Sequence, residues 1–174
     1  MYDAPFDPAQ AGELVDLGNG EAELRFERLL NHPLEKVWAA ISIPERIAAW
    51  FCEMTFEPTP GAKIDQTFHH AGGVKGYGRV LRFEPPTLFE WQWDASEGEG
   101  ASVVTWRLEP AGERQTRIFL THRTPNPEKA QDFGHGWHVH LDGLVQALQG
   151  GRFVYPLPND GEITAYYRQA FGPA

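Results

Sequence analysis

Hydrophobic and polar residues alternate where the chain runs Ala22, Leu24 and Phe26 against Glu23, Arg25 and Glu27. That period of two predicts a half-buried strand over 21–30. The period then changes. Val37, Ala40 and Ile41, followed by Ile47, Trp50 and Phe51, recur at helical spacing and predict two short helices, each with one apolar stripe. Pro33 and Pro44 suit first helical turns, where a backbone N–H has no partner to lose. Ser42 and Glu45 have the spacing of a capping box. Helices this short are unstable alone and must lie against something larger.

From Cys52 to Arg123 the period of two returns, punctuated by turn residues. Pro58-Thr59-Pro60-Gly61 divides two strands, and Ile64, Gln66 and Phe68 share a face of the second. Gly72-Gly73 is a turn. A strand over 74–83 contains Gly76 and Gly78 as weak points or bends, and Glu84-Pro85-Pro86-Thr87 breaks it. The strand over 88–94 presents Phe89, Trp91 and Trp93 together, and Ser96-Glu97-Gly98-Glu99-Gly100 reads as a flexible acidic loop. Val104, Trp106 and Leu108 share the next strand's face; after a hairpin at 110–113, Ile118, Leu120 and His122 share the last one's. Short connections favour an antiparallel meander.

Asn126-Pro127-Glu128 then reads as an N-cap, a first-turn proline and an acid at the positive end of a helix. This helix is predicted to run to Gln149, roughly 34 Å, and to stop at Gly150-Gly151. Phe133, Trp137, Leu141, Leu144 and Leu148 form its apolar stripe. Gly134 and Gly136 weaken it locally and either admit close approach of another backbone or mark a kink. A short terminal helix is predicted over 164–171. The economical α+β arrangement is a helix grip: a curved antiparallel sheet of about seven strands wrapped round the long helix, with the two short helices after the first strand plugging one end.

Composition narrows the function classes. With 174 residues, one domain is expected, able to bury a core without staples. A net charge of -9 excludes the basic footprint that nucleic-acid binding needs. The single cysteine, Cys52, excludes an internal disulfide and, beside Trp50-Phe51, reads as a buried small hydrophobe. No apolar run approaches the ~20 residues of a membrane span. Residues 1–5 lack a secretion signal's basic and apolar stretches, so a cytoplasmic location is expected.

Candidate chemistry is sparse. Among seven histidines, His135, His138 and His140 lie within a turn and a half of the long helix, but His140 points away from His135. There is no His-Glu-x-x-His word and no cysteine pair, so no metal and no cofactor are expected. No nucleophile elbow, phosphate loop or dinucleotide fingerprint is present. His122, on the apolar face, is either a satisfied core histidine or the one catalytic candidate, binding a polar group or moving a proton with Gln66 or His70. The rings of Phe68, Phe89, Trp91, Trp93, Trp106 and Trp137, with Ile118, Leu120, His122 and Leu141, are the candidate ligand wall; alternatively the rings meet and fill the space.

Several short words, in order, resemble one superfamily. They are Pro33-Leu34-Glu35-Lys36-Val37-Trp38-Ala39-Ala40, Pro44-Glu45 before Trp50-Phe51, and Gly78-Arg79-Val80 before Glu84-Pro85-Pro86. They continue through Leu88-Phe89-Glu90-Trp91, the strand over 116–122, and Gly136-Trp137 before Leu141-Asp142-Gly143-Leu144. The pattern resembles the START-like (birch-pollen-allergen-like) superfamily and, within it, the activator of heat-shock-protein-90 ATPase homologue family, over roughly 21–148. The resemblance divides the chain into a flexible arm (1–20), a START-like domain (21–150) and a C-terminal extension with a short helix (151–174). It implies binding of a small apolar molecule, lipids included, between sheet and helix. It also leaves open a chaperone-partner module that activates an ATPase, with a stress-response role, and a cyclase- or hydrolase-type enzyme in the same cavity. Monomer and homodimer both remain open.

Overall fold

The computed structural model describes residues 5–94 and 101–172. Its strands are β1 (Glu13–Asp16), β2 (Ala22–Leu30), β3 (Glu53–Thr55), β4 (Lys63–Phe68), β5 (Val74–Glu84), β6 (Leu88–Asp94), β7 (Ser102–Pro110) and β8 (Thr116–Thr124). Its helices are α1 (Leu34–Ser42), α2 (Pro44–Ile47), α3 (Ala130–Leu148) and α4 (Asp160–Phe171). All strand pairs are antiparallel, in one sheet ordered β1-β2-β8-β7-β6-β5-β4-β3. The meander from β3 to β8 follows the short connections, and β2 closes onto β8 with Leu24 opposite His122. Helices α1 and α2 carry the chain from β2 to the far edge.

The sheet has eight strands rather than about seven, because the segment expected as a loose arm contributes β1. Glu13 to Asp16 pair with Arg25 to Ala22 at the sheet edge. Four residues with acids at both ends are too short for alternation to be recognised. The acidic loop at 96–100 lies outside the described residues.

Alternation sorts the two faces as expected. Leu24, Phe26, Val104, Trp106, Ile118 and Leu120 are buried on the concave face. The convex face carries exposed ion pairs such as Arg82–Glu90 at 3.1 Å and Arg117–Glu27, which contribute little in water. Helix α3 lies across the concave face, with Trp137, Leu141, Leu144 and Leu148 buried. Each such side chain contributes about 1.5–3 kcal/mol by leaving water.

Four local expectations are corrected. Ser42 caps nothing: it ends α1, and its hydroxyl donates back to the Trp38 carbonyl at 2.7 Å, the i−4 bond a helical serine makes. Ile43 precedes α2 without a side-chain cap, and Trp50 and Phe51 lie past the end of that one-turn helix. Trp50 nevertheless locks the pair, its Nε1 donating to the Ala40 carbonyl at 2.9 Å. Asn126 does not cap α3 through its side chain; residues Pro127–Lys129 form a 3-10 turn first, so α3 spans 19 residues, about 28 Å. The terminal helix begins at Asp160, earlier than expected, with Asp160 and Glu162 in its first turn, where acids complement the helix dipole.

The C-terminal extension is built onto α3. At Gly134 a Cβ would meet the Tyr167 ring at 2.6 Å and the Phe171 ring at 2.9 Å, and at Gly143 it would meet Phe153 at 2.6 Å. The glycines therefore admit aromatic side chains rather than another backbone. Tyr167 also accepts the Gly12 N–H at 2.8 Å, so α4 ties the N-terminal segment to the long helix.

Candidate functional site

The inward rings pack on one another through much of the space between α3 and the sheet. Phe89 and Trp91 have centroids 4.9 Å apart, Trp50 and Trp106 5.7 Å, and Trp106 and Trp137 5.9 Å. Phe89, Trp91, Trp106, Ile118, Leu120 and Leu141 are thus placed in solid packing, at most 2 % exposed. At one end a cleft of about 190 Å³ remains, lined by Phe51, Phe68, Trp93, Asp132, Phe133, Gly136, Trp137 and His140. Of the sequence-derived wall, the structure brings Phe68, Trp93 and Trp137 into this cleft.

Three elements converge there. Phe68 ends β4 and Trp93 lies near the end of β6. Their rings stack at 5.9 Å, and Trp93 stacks on His122 at 5.5 Å. Gly76 and Gly78 of β5 sit between those strands. A Cβ on Gly76 would come within 3.0 Å of both Gln66 Oε1 and Trp93 Nε1, so glycine there lets the two polar edges face the sheet. From α3, Asp132, Phe133, Gly136, Trp137 and His140 are spaced at helical intervals along one side. Phe51 stacks on Trp137 at 5.2 Å and meets His140 edge-on at 4.9 Å. No atom of the described residues lies within 4 Å of the place a Gly136 Cβ would occupy, so among them the helix wall is open where that residue lacks a side chain.

Phe51, Asp132, Phe133, Gly136 and His140 complete the cleft and were missing from the sequence-derived wall. Phe133 was legible in the apolar stripe, and Asp132, Gly136 and Trp137 follow from helical spacing once Phe133 is placed.

Behind Trp93 runs a directed hydrogen-bond chain. Trp137 Nε1 donates to His122 Nδ1 at 2.9 Å. An indole nitrogen can only donate, so the neutral imidazole carries its proton on Nε2. Nε2 donates to Ser102 Oγ at 2.8 Å, and that hydroxyl donates to the Trp93 carbonyl at 3.2 Å. Burial pushes the His122 pKa down to about 3. Both ring nitrogens are engaged, leaving neither a lone pair nor a proton for a substrate. Gln66 and His70, the partners considered for His122, lie elsewhere: Gln66 is buried with Nε2 4.0 Å from Met54 Sδ, and His70 packs edge-on against His140 at 5.0 Å.

The α3 histidines diverge. His135 Nε2 meets Asp160 at 2.8 Å, His138 Nδ1 meets the Tyr167 hydroxyl at 3.1 Å, and His140 Nδ1 donates to the Trp50 carbonyl at 3.0 Å. Among the described residues no three side chains gather as metal ligands. Burial raises the Cys52 thiol far above its ordinary value, so it stays a neutral packing group. A wider hollow of about 600 Å³ on the convex face is lined by Arg25, Glu27, Arg82 and Arg107. Its lining is rich in charged side chains, whereas small-molecule sites are mostly apolar with few polar groups. Among the described residues no helix is long and apolar enough to cross a membrane.

Known proteins share this architecture. CalU16 from Micromonospora echinospora is 26% identical and superposes with a TM-score of 0.75, covering 93% of this chain and 96% of its own. A Bordetella parapertussis protein, the product of gene BPP1335, is 28% identical, with a TM-score of 0.72 over 96% of this chain and 94% of its own. DynU16, from the dynemicin biosynthetic locus, shares the fold at 22% identity, with a TM-score of 0.68 over 75% of this chain and 48% of its own. No curated protein sequence matches. The pattern of the family described as Activator of Hsp90 ATPase homolog 1-like protein matches residues 31–149. With that span and the helix-grip fold, the chain belongs to the Activator of Hsp90 ATPase homolog 1-like family of the START-like superfamily.

Proposed function

We propose that this protein binds a small hydrophobic molecule in the cleft between α3 and the β4–β6 end of the sheet. The observation that carries this reading is the aromatic lining beside an unfilled position at Gly136. Apolar concavities with few polar groups are the usual form of small-molecule sites. The volume, about 190 Å³, is below the roughly 300–1,000 Å³ of drug-sized sites, which points to a ligand, or part of one, the size of one or two fused rings.

Native mass spectrometry of gently purified protein, followed by extraction, tests the reading. A bound apolar species, or saturable uptake of a two-ring probe such as 1-naphthylmethanol, supports it. A bare chain that takes up no such probe overturns it.

The cyclase- or hydrolase-type alternative needs an activated group in the cavity, and the bonds held by His122 argue against that residue. A chaperone-partner role rests on the family description; a change in chaperone ATPase rate on adding the protein would support it.

A further inference from the structure

The cleft's walls differ sharply in charge character. Five carry aromatic rings: Phe51, Phe68, Trp93, Phe133 and Trp137. Aromatic faces present negative potential to whatever lies over them. Among the described residues, two lining side chains are ionisable, Asp132 and His140. Asp132 is exposed and sits one helical turn before Gly136, on the side of α3 that forms the wall. His140 is held neutral: burial pushes its pKa down to about 3, and its bond to the Trp50 carbonyl does not outweigh that. Because Nδ1 donates to that carbonyl, Nε2 is left as an acceptor.

The walls' donors are committed or turned away. Trp137 Nε1 is spent on His122, and Trp93 Nε1 lies toward Gly76 on the sheet side. Among the described residues no lysine or arginine lines the cleft. Lys129, three residues before Asp132 on the chain, is not among its walls. The chain as a whole carries a net charge of -9, a field that favours approach of cations.

We infer that the cleft takes an organic cation, a flat hydrophobic group bearing a protonated amine whose charge lies over the rings beside Asp132. The inference rests on the ligand-binding reading above and narrows its ligand class. An anion would face a carboxylate and ring faces, while the buried Trp93 N–H, which has no partner among the described residues, lies toward Gly76 on the sheet side. A neutral ligand would fill the cleft without using Asp132.

The test is a charge series on one ring system, titrated calorimetrically into the full chain at neutral pH: 1-naphthylmethylammonium, 1-naphthylmethanol and 1-naphthoate. The expected order is cation, alcohol, anion, with about tenfold between cation and alcohol, the size of a partly desolvated cation–π and carboxylate contact. Asp132 is exposed, so Asp132→Asn should fold, and it should lower the ratio of cation to alcohol affinity severalfold, leaving only the share the rings supply. The inference is overturned if the alcohol or the naphthoate binds as tightly as the cation, or if Asp132→Asn leaves the ratio intact; in those cases ligand binding itself survives. Failure of all three probes to bind overturns the binding reading, and the cation inference with it.

Discussion

Trp137 on the long helix donates its indole N–H to His122 on β8 at 2.9 Å, joining helix to sheet through a single buried bond. The bond fixes the imidazole tautomer, and the tautomer fixes the bonds to Ser102 and Trp93 behind it. Trp137→Phe keeps most of the ring packing but strips the acceptor of its donor. Leaving a buried polar atom unpaired costs about 1–3 kcal/mol. Denaturant unfolding of the variant should show a loss of that size; a loss near zero would mean the bond does not hold the helix down.

Acid should unfold this protein early. Burial is the first cause that pushes His122, His138 and His140 each down to about 3 from an ordinary 6.5. Below that ordinary value the unfolded chain takes up protons that the folded chain refuses, so folding loses stability as pH falls from 6.5 toward 3. Each such histidine costs up to about 1.4 kcal/mol per pH unit in that window. Against a typical stability of roughly 5–15 kcal/mol, three acting together place the acid transition between about pH 3 and 5. Circular dichroism across the range checks this, and a native spectrum at pH 3 would contradict it.

Two glycines two residues apart on α3 should respond in opposite directions to the same substitution. Gly136→Ala adds a methyl group in open space and gains helix propensity, about 1 kcal/mol. Gly134→Ala drives a methyl into the Tyr167 and Phe171 rings and should cost about 1–3 kcal/mol by overpacking, loosening α4. Denaturation midpoints of the two variants read the difference directly. Equal shifts of one sign would refute this division of the helix into a cleft-facing and an α4-facing side.

Much of the architecture was legible because it depends on local periodicity. The alternation at Ala22, Leu24 and Phe26 and at Ile118, Leu120 and His122 placed the strands and their inward faces. The stripe through Phe133, Trp137 and Leu141 placed the long helix. Strand β1 escaped because Glu13 to Asp16 is too short to show a period. The cap at Ser42 failed because correct spacing does not determine in which helix a serine ends.

The site was less legible because it depends on distances between elements far apart in sequence. Nothing local distinguishes Trp91, which packs against Phe89, from Trp93, which lines the cleft. Gly136 read as a weak point in a helix, and only the sheet opposite turns its missing side chain into space. Alternation put His122 inward, but its partners Ser102 and Trp137 come from another strand and from α3.

Gly136 offers the most direct test of ligand binding between helix and sheet. Among the described residues no atom lies within 4 Å of the place a Cβ there would occupy, and leucine is a good helix former. Titration of 1-naphthylmethanol into wild-type protein and Gly136→Leu, followed by calorimetry, is the measurement. Saturable one-to-one binding to the wild type is expected, with its loss in a variant that remains as thermally stable as the parent. Equal affinity in both proteins would contradict it.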